Sequence, residues 1–326
     1  MDASDAWHFK SVSYTGQADG ARLIVLGAVH GNETCGSRAI GQVMAQLDSG
    51  ALRIKAGCVT FVPVANPLAY ANGTRAGQRN LNRALFPKPQ PHDFEDRVAN
   101  WLCPLLARHQ VLLDLHSFKA RGAPFAMLGP RNNSGPLQPF AHEEQERALA
   151  RHLGVRRFVD GWLATHEQGV RRRMGTADAG ALQQQVRYGM GSSEYMRASG
   201  GYGLTLECGQ HADPGAPEVA CRAILNSLAF LGLSGAAAPA PVAATGMETF
   251  SLTAVHDKLA AQDAFCRDWA SFDAVHQGDE IGKRADGSAV LAEFDGRILF
   301  PDSQADAGSA WYYLASANPL FDTNLP

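Results

Sequence analysis

Residues 30–33 read His-Gly-Asn-Glu, directly after an apolar run. A histidine and a glutamate three residues apart, on a turn entering a helix, can converge on one ion. A third ligand has a similar setting: Asp114-Leu115-His116 closes another apolar run, and strand alternation puts Asp114 and His116 on one side. Two histidines and a glutamate with an open fourth position are a known catalytic zinc set. His30, Glu33 and His116 are therefore candidate ligands for one Zn2+ per chain. Asp114 then either orients His116 from behind or ties down a neighbouring backbone. Glu207 ends the apolar run GLTLE at 203–207. A carboxylate there needs a partner, because burying an unpaired charge is costly. A structural salt bridge would supply one. So would a nearby dication, in which case Glu207 can serve as the general base that takes a proton from water. Cys208 beside it suits a small core residue. A GxSxG nucleophile elbow is absent from the sequence.

These side chains need a scaffold with strand ends at one edge. Residues 22–29, 58–64, 111–115 and 203–207 are short, near-continuous apolar runs, as a parallel sheet covered on both faces requires. Between them, 34–47 is helix-like. The segment 92–108 sets Phe94, Val98, Trp101, Leu102 and Leu105 at helical spacing. Alternating strand and helix predict an α/β fold, a mixed, mostly parallel sheet flanked by helices. Both ligand segments then stand at carboxyl ends of strands, where open α/β sheets bind their ligands. Residues 233–246 carry no charge and are rich in Ala, Pro and Gly, which suits a linker. Beyond them, Asp286-Gly287 and Asp295-Gly296 sit between short alternating runs within 276–300 and read as β-hairpins. The expected division is a catalytic domain over 1–235 and a small β domain over 236–326.

The chain has 326 residues, a hydrophobic fraction of 45%, a charged fraction of 19% and a net charge of only -3. That length exceeds one small core. Without a strong field of either sign, nucleic acid and membrane surfaces are poor partners; the expected partner is a small-molecule substrate. No apolar run approaches the ~20 residues of a membrane span. The start, MDASDAWHFK, lacks the basic-then-apolar pattern of a signal peptide. The six cysteines form no CxxC pair, and free thiols fit a reducing, cytoplasmic setting. The run Arg171-Arg172-Arg173 reads as a solvated loop, since three adjacent side chains do not face one point. The oligomeric state, a homo-oligomer included, is open.

GAVHGNE at 27–33, NPLAYANGTR at 66–75, NLNRALFP at 80–87, DLHS at 114–117 and TLECG at 205–209 resemble, in order and spacing, the succinylglutamate desuccinylase/aspartoacylase family, which is related in fold to the zinc carboxypeptidases. The resemblance spans about 22–232 and continues more weakly into the C-terminal region. It implies zinc on His30, Glu33 and His116, with Glu207 as catalytic glutamate. It further implies that Asn82 and Arg83 bind a substrate carboxylate and that Arg75 polarises the scissile carbonyl. Arg197 matches a further arginine, and a late tyrosine falls on Tyr312 or Tyr313. Many members have Asp where this chain has Asn80, so a charge that could orient Arg75 or Arg83 is missing.

The expected activity is hydrolysis of a linear amide in an N-acyl amino acid or a similar carboxylate-bearing molecule. Zinc lowers the pKa of its water toward ~7, and Arg83 offers a carboxylate a two-pronged clasp. The alternatives are a carboxypeptidase acting on peptides and a non-catalytic small-molecule binding protein. Peptides assayed beside N-acyl amino acids separate the first. The complete ligand set with Glu207 speaks against the second.

Overall fold

The computed structural model of the chain describes residues 7–175, 178–319 and 321. Residues 1–6 of the N-terminal stretch read above, and 322–326 of the 236–326 segment, lie outside them. In chain order the strands are β1 (Val12–Thr15), β2 (Ala18–Leu26), β3 (Ala56–Val62), β4 (Val111–Phe118), β5 (Phe125–Met127), β6 (Arg157–Asp160), β7 (Tyr202–Gln210), β8 (Glu248–Asp257), β9 (Ala264–Phe265), β10 (Ala274–Val275), β11 (Glu280–Lys283), β12 (Ala289–Leu291), β13 (Gly296–Leu299) and β14 (Ala310–Ala317). The helices are α1 (Cys35–Asp48), α2 (Pro67–Asn72), α3 (Phe94–Leu106), α4 (Glu143–Ala150), α5 (Trp162–Met174), α6 (Ala179–Tyr188), α7 (Ser192–Ala198) and α8 (Ala216–Phe230).

An 11-stranded sheet runs in the order β1-β3-β2-β4-β7-β5-β6-β8-β14-β13-β10. Its β3-β2-β4-β7 centre is parallel. Both faces of that centre are covered, and alternation sorts the side chains. Leu23, Val25, Val111, Leu113, Leu115, Leu204 and Leu206 pack in one core with α1, α4 and α8. Ile24, Leu26, Val62 and Leu112 pack in another with α3 and Met196 of α7. Burying each such aliphatic side chain contributes about 1.5–3 kcal/mol. A one-residue slip of β4 would carry Asp114 and His116 into the first core and expel Leu113 and Leu115. The apolar alternation therefore fixes which face receives the polar residues.

The apolar seam of α3 is rotated by one residue from its expected position. Phe94, Val98, Ala99, Leu102, Cys103 and Leu106 are buried, whereas Trp101 and Leu105 are only partly so. Phe9 of the N-terminal segment covers Trp101, with ring centroids 5.5 Å apart. The arginine run is also helical rather than loop, in the last turn of α5, where cations suit the helix dipole. Its three side chains diverge, as their spacing requires. Arg171 meets Glu167, Arg172 the Val255 carbonyl, and Arg173 Asp257.

Beyond residues 233–246, β8, β14, β13 and β10 extend the central sheet, joined to it by the parallel β6–β8 pair. A separate sheet, β12-β11-β9, flanks them, and Trp311, Tyr312, Ile281, Ile298 and Leu314 form a local core. Asp286-Gly287 does turn a hairpin, between the antiparallel β11 and β12, with Gly287 at φ 85°. Asp295-Gly296 does not: β12 pairs with β11, whereas β13 pairs with β10 and β14. Turn chemistry alone cannot say whether its flanking strands meet.

Asp263 organises this region. Its carboxylate accepts from Leu259 N at 2.8 Å, Ala260 N at 3.3 Å, Ala285 N at 3.0 Å and Arg284 Nη1 at 2.7 Å. Burial opposes its ionisation, but Arg284 and the backbone donors prevail and hold the carboxyl at about 2. Because the folded value lies below the ordinary carboxylate range near ~4, this stabilisation is full above that range and fades as pH falls toward 2. Asp263→Asn is expected to cost about 1–3 kcal/mol by urea denaturation at neutral pH, with a smaller difference in acid. Equal stability at both pH values would show that the carboxylate does not hold these loops.

Candidate metal centre and substrate cavity

Main-chain geometry between β2 and α1 presents His30 and Glu33. Ala28 takes a left-handed conformation at φ 47°, turning the chain out of the sheet. At Gly31 a Cβ would lie 2.0 Å from the Ala69 carbonyl carbon, so only glycine fits between the two residues of the pair. His116 and Asp114 project from β4 away from the α1/α8 core. Thr205 and Glu207 share that face on β7, where Glu207 is registered against His116.

His30 Nδ1 lies 2.9 Å from Glu33 Oε1, His116 Nδ1 lies 2.9 Å from Glu33 Oε2, and the two Nδ1 atoms are 3.1 Å apart. All three residues are buried, and they form a group able to hold a metal ion. Ligands about 2.0–2.1 Å from a tetrahedral zinc are separated by roughly 3.3 Å, so these atoms need move only slightly to grip one. Charge agrees with geometry. Burial disfavours a proton on His116, yet the Asp114 and Glu33 carboxylates raise its pKa well above the ordinary histidine value. Two carboxylates buried this deeply call for positive charge, which a proton on His116 supplies here and a bound ion would supply in its place. Burial instead pulls His30 down to about 4, leaving it neutral, as a metal ligand must be.

Behind the cluster, His116 Nε2 lies 2.9 Å from Asp114 Oδ2, a contact off the N–H axis. His30 Nε2 lies 3.0 Å from Asn80 Oδ1. Asn80 therefore backs a histidine; it does not orient Arg75 or Arg83. Arg75 Nη1 instead reaches Glu33 Oε1 at 2.8 Å. Glu207 is buried, and its Oε2 has no hydrogen-bond partner among the described residues. Burial, opposed by His116, pushes its carboxyl up to about 8.

Residues 73–93 have no helix or strand, yet they carry Arg75, Asn82 and Arg83. Their scaffold is Glu95, the first-turn residue of α3 that the sequence did not single out. Its carboxylate accepts from Asn66 Nδ2 and from the backbone N–H groups of Gly77, Gln78 and Arg79. Asp96 adds ion pairs with Arg79 and Lys88. Asn82 Oδ1 accepts from Ser192 N at 2.9 Å; a Cβ on Gly191 would sit 2.1 Å from that oxygen. Arg83 donates to the Asn82 carbonyl and lies 4.6 Å over the Trp162 ring. No carboxylate pairs with Arg83 among the described residues.

A cavity of about 460 Å³ joins these groups: His30, Arg75, Asn80, Asn82, Arg83, His116, Glu207 and Tyr313 line it. Of the two tyrosines, Tyr313 faces the cavity and Tyr312 does not. Adjacent strand residues point to opposite faces, and Tyr312 is fully buried against His256 in the local core. The expectation for Tyr312 is corrected accordingly. Trp162, Phe118 and Phe300 add an aromatic wall that short motifs did not reveal.

Arg197 borders the cavity, but its guanidinium is occupied. Nε meets Glu146 Oε2 at 2.8 Å, Nη2 meets Glu146 Oε1 at 3.1 Å, and Nη2 donates to the Gly203 carbonyl. Both side chains are 2% exposed. Such a pair braces α4 against β7 and has little left for a ligand. Arg197→Met strands the Glu146 charge, which typically costs about 3–5 kcal/mol. The expected result is a lower urea midpoint with near-normal KM for whatever protein remains folded. Unchanged stability with a raised KM would return Arg197 to the substrate.

Known proteins resemble this chain in sequence pattern and in fold. Residues 19–135 match the model of the succinylglutamate desuccinylase/aspartoacylase catalytic domain. No curated protein sequence matches the chain. Among solved structures, the succinylglutamate desuccinylase/aspartoacylase from Rhodobacter sphaeroides is similar over 95% of this chain and 90% of its own, with TM-score 0.70 and 17% identity. Succinylglutamate desuccinylase from Vibrio cholerae is similar over 94% of this chain and 85% of its own, with TM-score 0.67 and 19% identity. The product-bound ectoine utilization protein EutE from Ruegeria pomeroyi is similar over 92% and 87%, with TM-score 0.67 and 16% identity. These identities speak to fold. The family resemblance is thus borne out: over residues 19–135 the chain carries the catalytic-domain pattern of the succinylglutamate desuccinylase/aspartoacylase family, set in the fold of solved structures bearing those names.

Proposed function

We propose that this chain is a zinc-dependent amidohydrolase that cleaves the linear amide of an N-acyl amino acid or a similar small carboxylate-bearing amide. One observation carries the reading. A His-Glu-His cluster is grouped at one cavity with a glutamate oxygen and an arginine that, among the described residues, have no hydrogen-bond partner and no carboxylate partner respectively.

His30, Glu33 and His116 would hold the zinc, which would supply a Lewis acid toward water and the scissile carbonyl. The charge of a zinc beside it would bring the raised Glu207 carboxyl back down, so that Glu207 takes the proton of the attacking water on the oxygen without a partner among the described residues and passes it to the leaving amine. Arg75, placed beside Glu33, donates to the oxygen on which negative charge develops. Losing one such donor typically costs a factor of roughly 10²–10³ in rate. Arg83 holds the substrate carboxylate, with Trp162 behind its plane and Asn82 beside it. Tyr313 closes that side of the cavity.

Zinc-loaded protein should hydrolyse one or more members of a panel of N-acyl amino acids and leave C-terminal peptide bonds intact. Preference for peptides would favour a carboxypeptidase, and inertness toward both classes a binding protein. His116→Ala should lose most of its zinc by elemental analysis. Glu207→Gln should retain zinc and substrate affinity while kcat falls by about 10²–10⁴-fold; near-normal turnover would place the base elsewhere. Arg83→Lys keeps the charge but not the planar fork, so kcat/KM should fall sharply at unchanged zinc content. An intact kcat/KM would remove Arg83 from the site.

A further inference from the structure

The hydrogen bonds behind the two histidines form a second pattern. Asn82 N–H donates to Asn80 Oδ1 at 2.9 Å. A backbone N–H can only donate, so the atom it meets is the amide oxygen and not the nitrogen. That oxygen is also 3.0 Å from His30 Nε2, which must then carry the ring proton. The lone pair is left on Nδ1, the atom facing Glu33 and His116.

The other histidine is braced by a different route. His116 Nε2 lies 2.9 Å from an Asp114 oxygen, and its Nδ1 faces Glu33 and His30. Ser192 Oγ donates to the same Asp114 oxygen. The Ser192 backbone N–H donates to Asn82 Oδ1 at 2.9 Å. Both routes therefore end on Asn82, one at its backbone nitrogen and the other at its side-chain oxygen. Arg83 is the next residue.

We infer that Asn80 and Ser192 are positioning residues that tie the metal centre to the Asn82–Arg83 segment, so that metal binding sets the segment that would clasp a carboxylate. The inference rests on the metal reading proposed above. Asn80 presents a neutral oxygen to His30 where Asp114 presents a charged one to His116, and the two are not equivalent partners. His30 Nε2 and Asn82 N meet the same Asn80 oxygen, so a metal that fixed the His30 ring would also fix the position of the acceptor that holds Asn82 N–H. By linkage, a ligand that orders Asn82 and Arg83 must in turn tighten metal binding.

The test uses zinc alone as the probe, on the full chain. Zinc affinity is measured by competition with a chromogenic chelator, and backbone exchange by hydrogen–deuterium mass spectrometry with and without zinc. Removing a partner behind a metal-bound histidine typically lowers affinity about 10–100-fold. That loss is expected for Asn80→Ala and Ser192→Ala. Asn80→Asp restores an acceptor and should recover or exceed wild-type affinity, a rescue that a mere packing role would not produce. Zinc should slow exchange across residues 80–85 in wild type, and Asn80→Ala should lose that effect even when zinc is saturating. If Asn80→Ala does not fold, Ser192→Ala and Asn80→Asp still decide. Wild-type protein that takes up no zinc overturns the metal reading and this inference with it. Wild type that binds zinc, beside variants that bind it equally and keep the protection of 80–85, overturns the inference alone.

Discussion

Glu33 is the carboxylate on which the site is built. It is 1% exposed, yet it is met by His30, His116 and Arg75 and accepts the backbone N–H of Ser117. A carboxylate so placed is tolerable only with this full set of donors and positive charge around it. Burial alone would raise its pKa, but the two histidines hold it well below the ordinary glutamate value. The donors arrive from β4, from the turn before α1 and from the loop after α2. Each of those must therefore stop at the right residue, and the parallel β2-β4-β7 centre with its two apolar faces supplies the stops.

Rigidity around that carboxylate is maintained at a conformational cost. Ala28 and Ala84 sit at φ 47°, and Phe300 at φ 49°, a region that non-glycine residues rarely adopt. They lie two residues before His30, next to Arg83, and on the cavity wall. Glu95 does for the irregular 73–93 segment what hydrogen-bond ladders do for strands. It gathers consecutive N–H groups onto one acceptor and gives a loop a fixed shape without regular structure.

Much of this was legible in the sequence because its determinants are local. An apolar run names its own strand, and a polar residue at its end names its own anomaly, as with His116 and Glu207. The rest depends on pairing between distant segments. β8 joins β6, with Arg157 opposite Glu248, and nothing near either strand announces the other. The same gap misread Asp295-Gly296 as a hairpin, left Tyr312 and Tyr313 undivided, and assigned Asn80 to the arginines instead of His30. Arg197 carried a motif-like position, but its partner, Glu146, lies 51 residues away in a helix whose sequence looks like ordinary surface.

The continuous sheet bears on how a molecule reaches the cavity. Tyr313 and Phe300 come from strands and turns on the far side of the β6–β8 pair, whereas the histidines come from the near side. A hinge that swung the two parts away from one another would have to break the main-chain ladder of four paired positions from Arg157–Glu248 to Asp160–Ser251. Jaw-like opening is thereby disfavoured. Lys119 and Asp302 also line the cavity and face one another at 2.7 Å. With Lys119 47% and Asp302 25% exposed, that contact can part in water without any movement of the sheet.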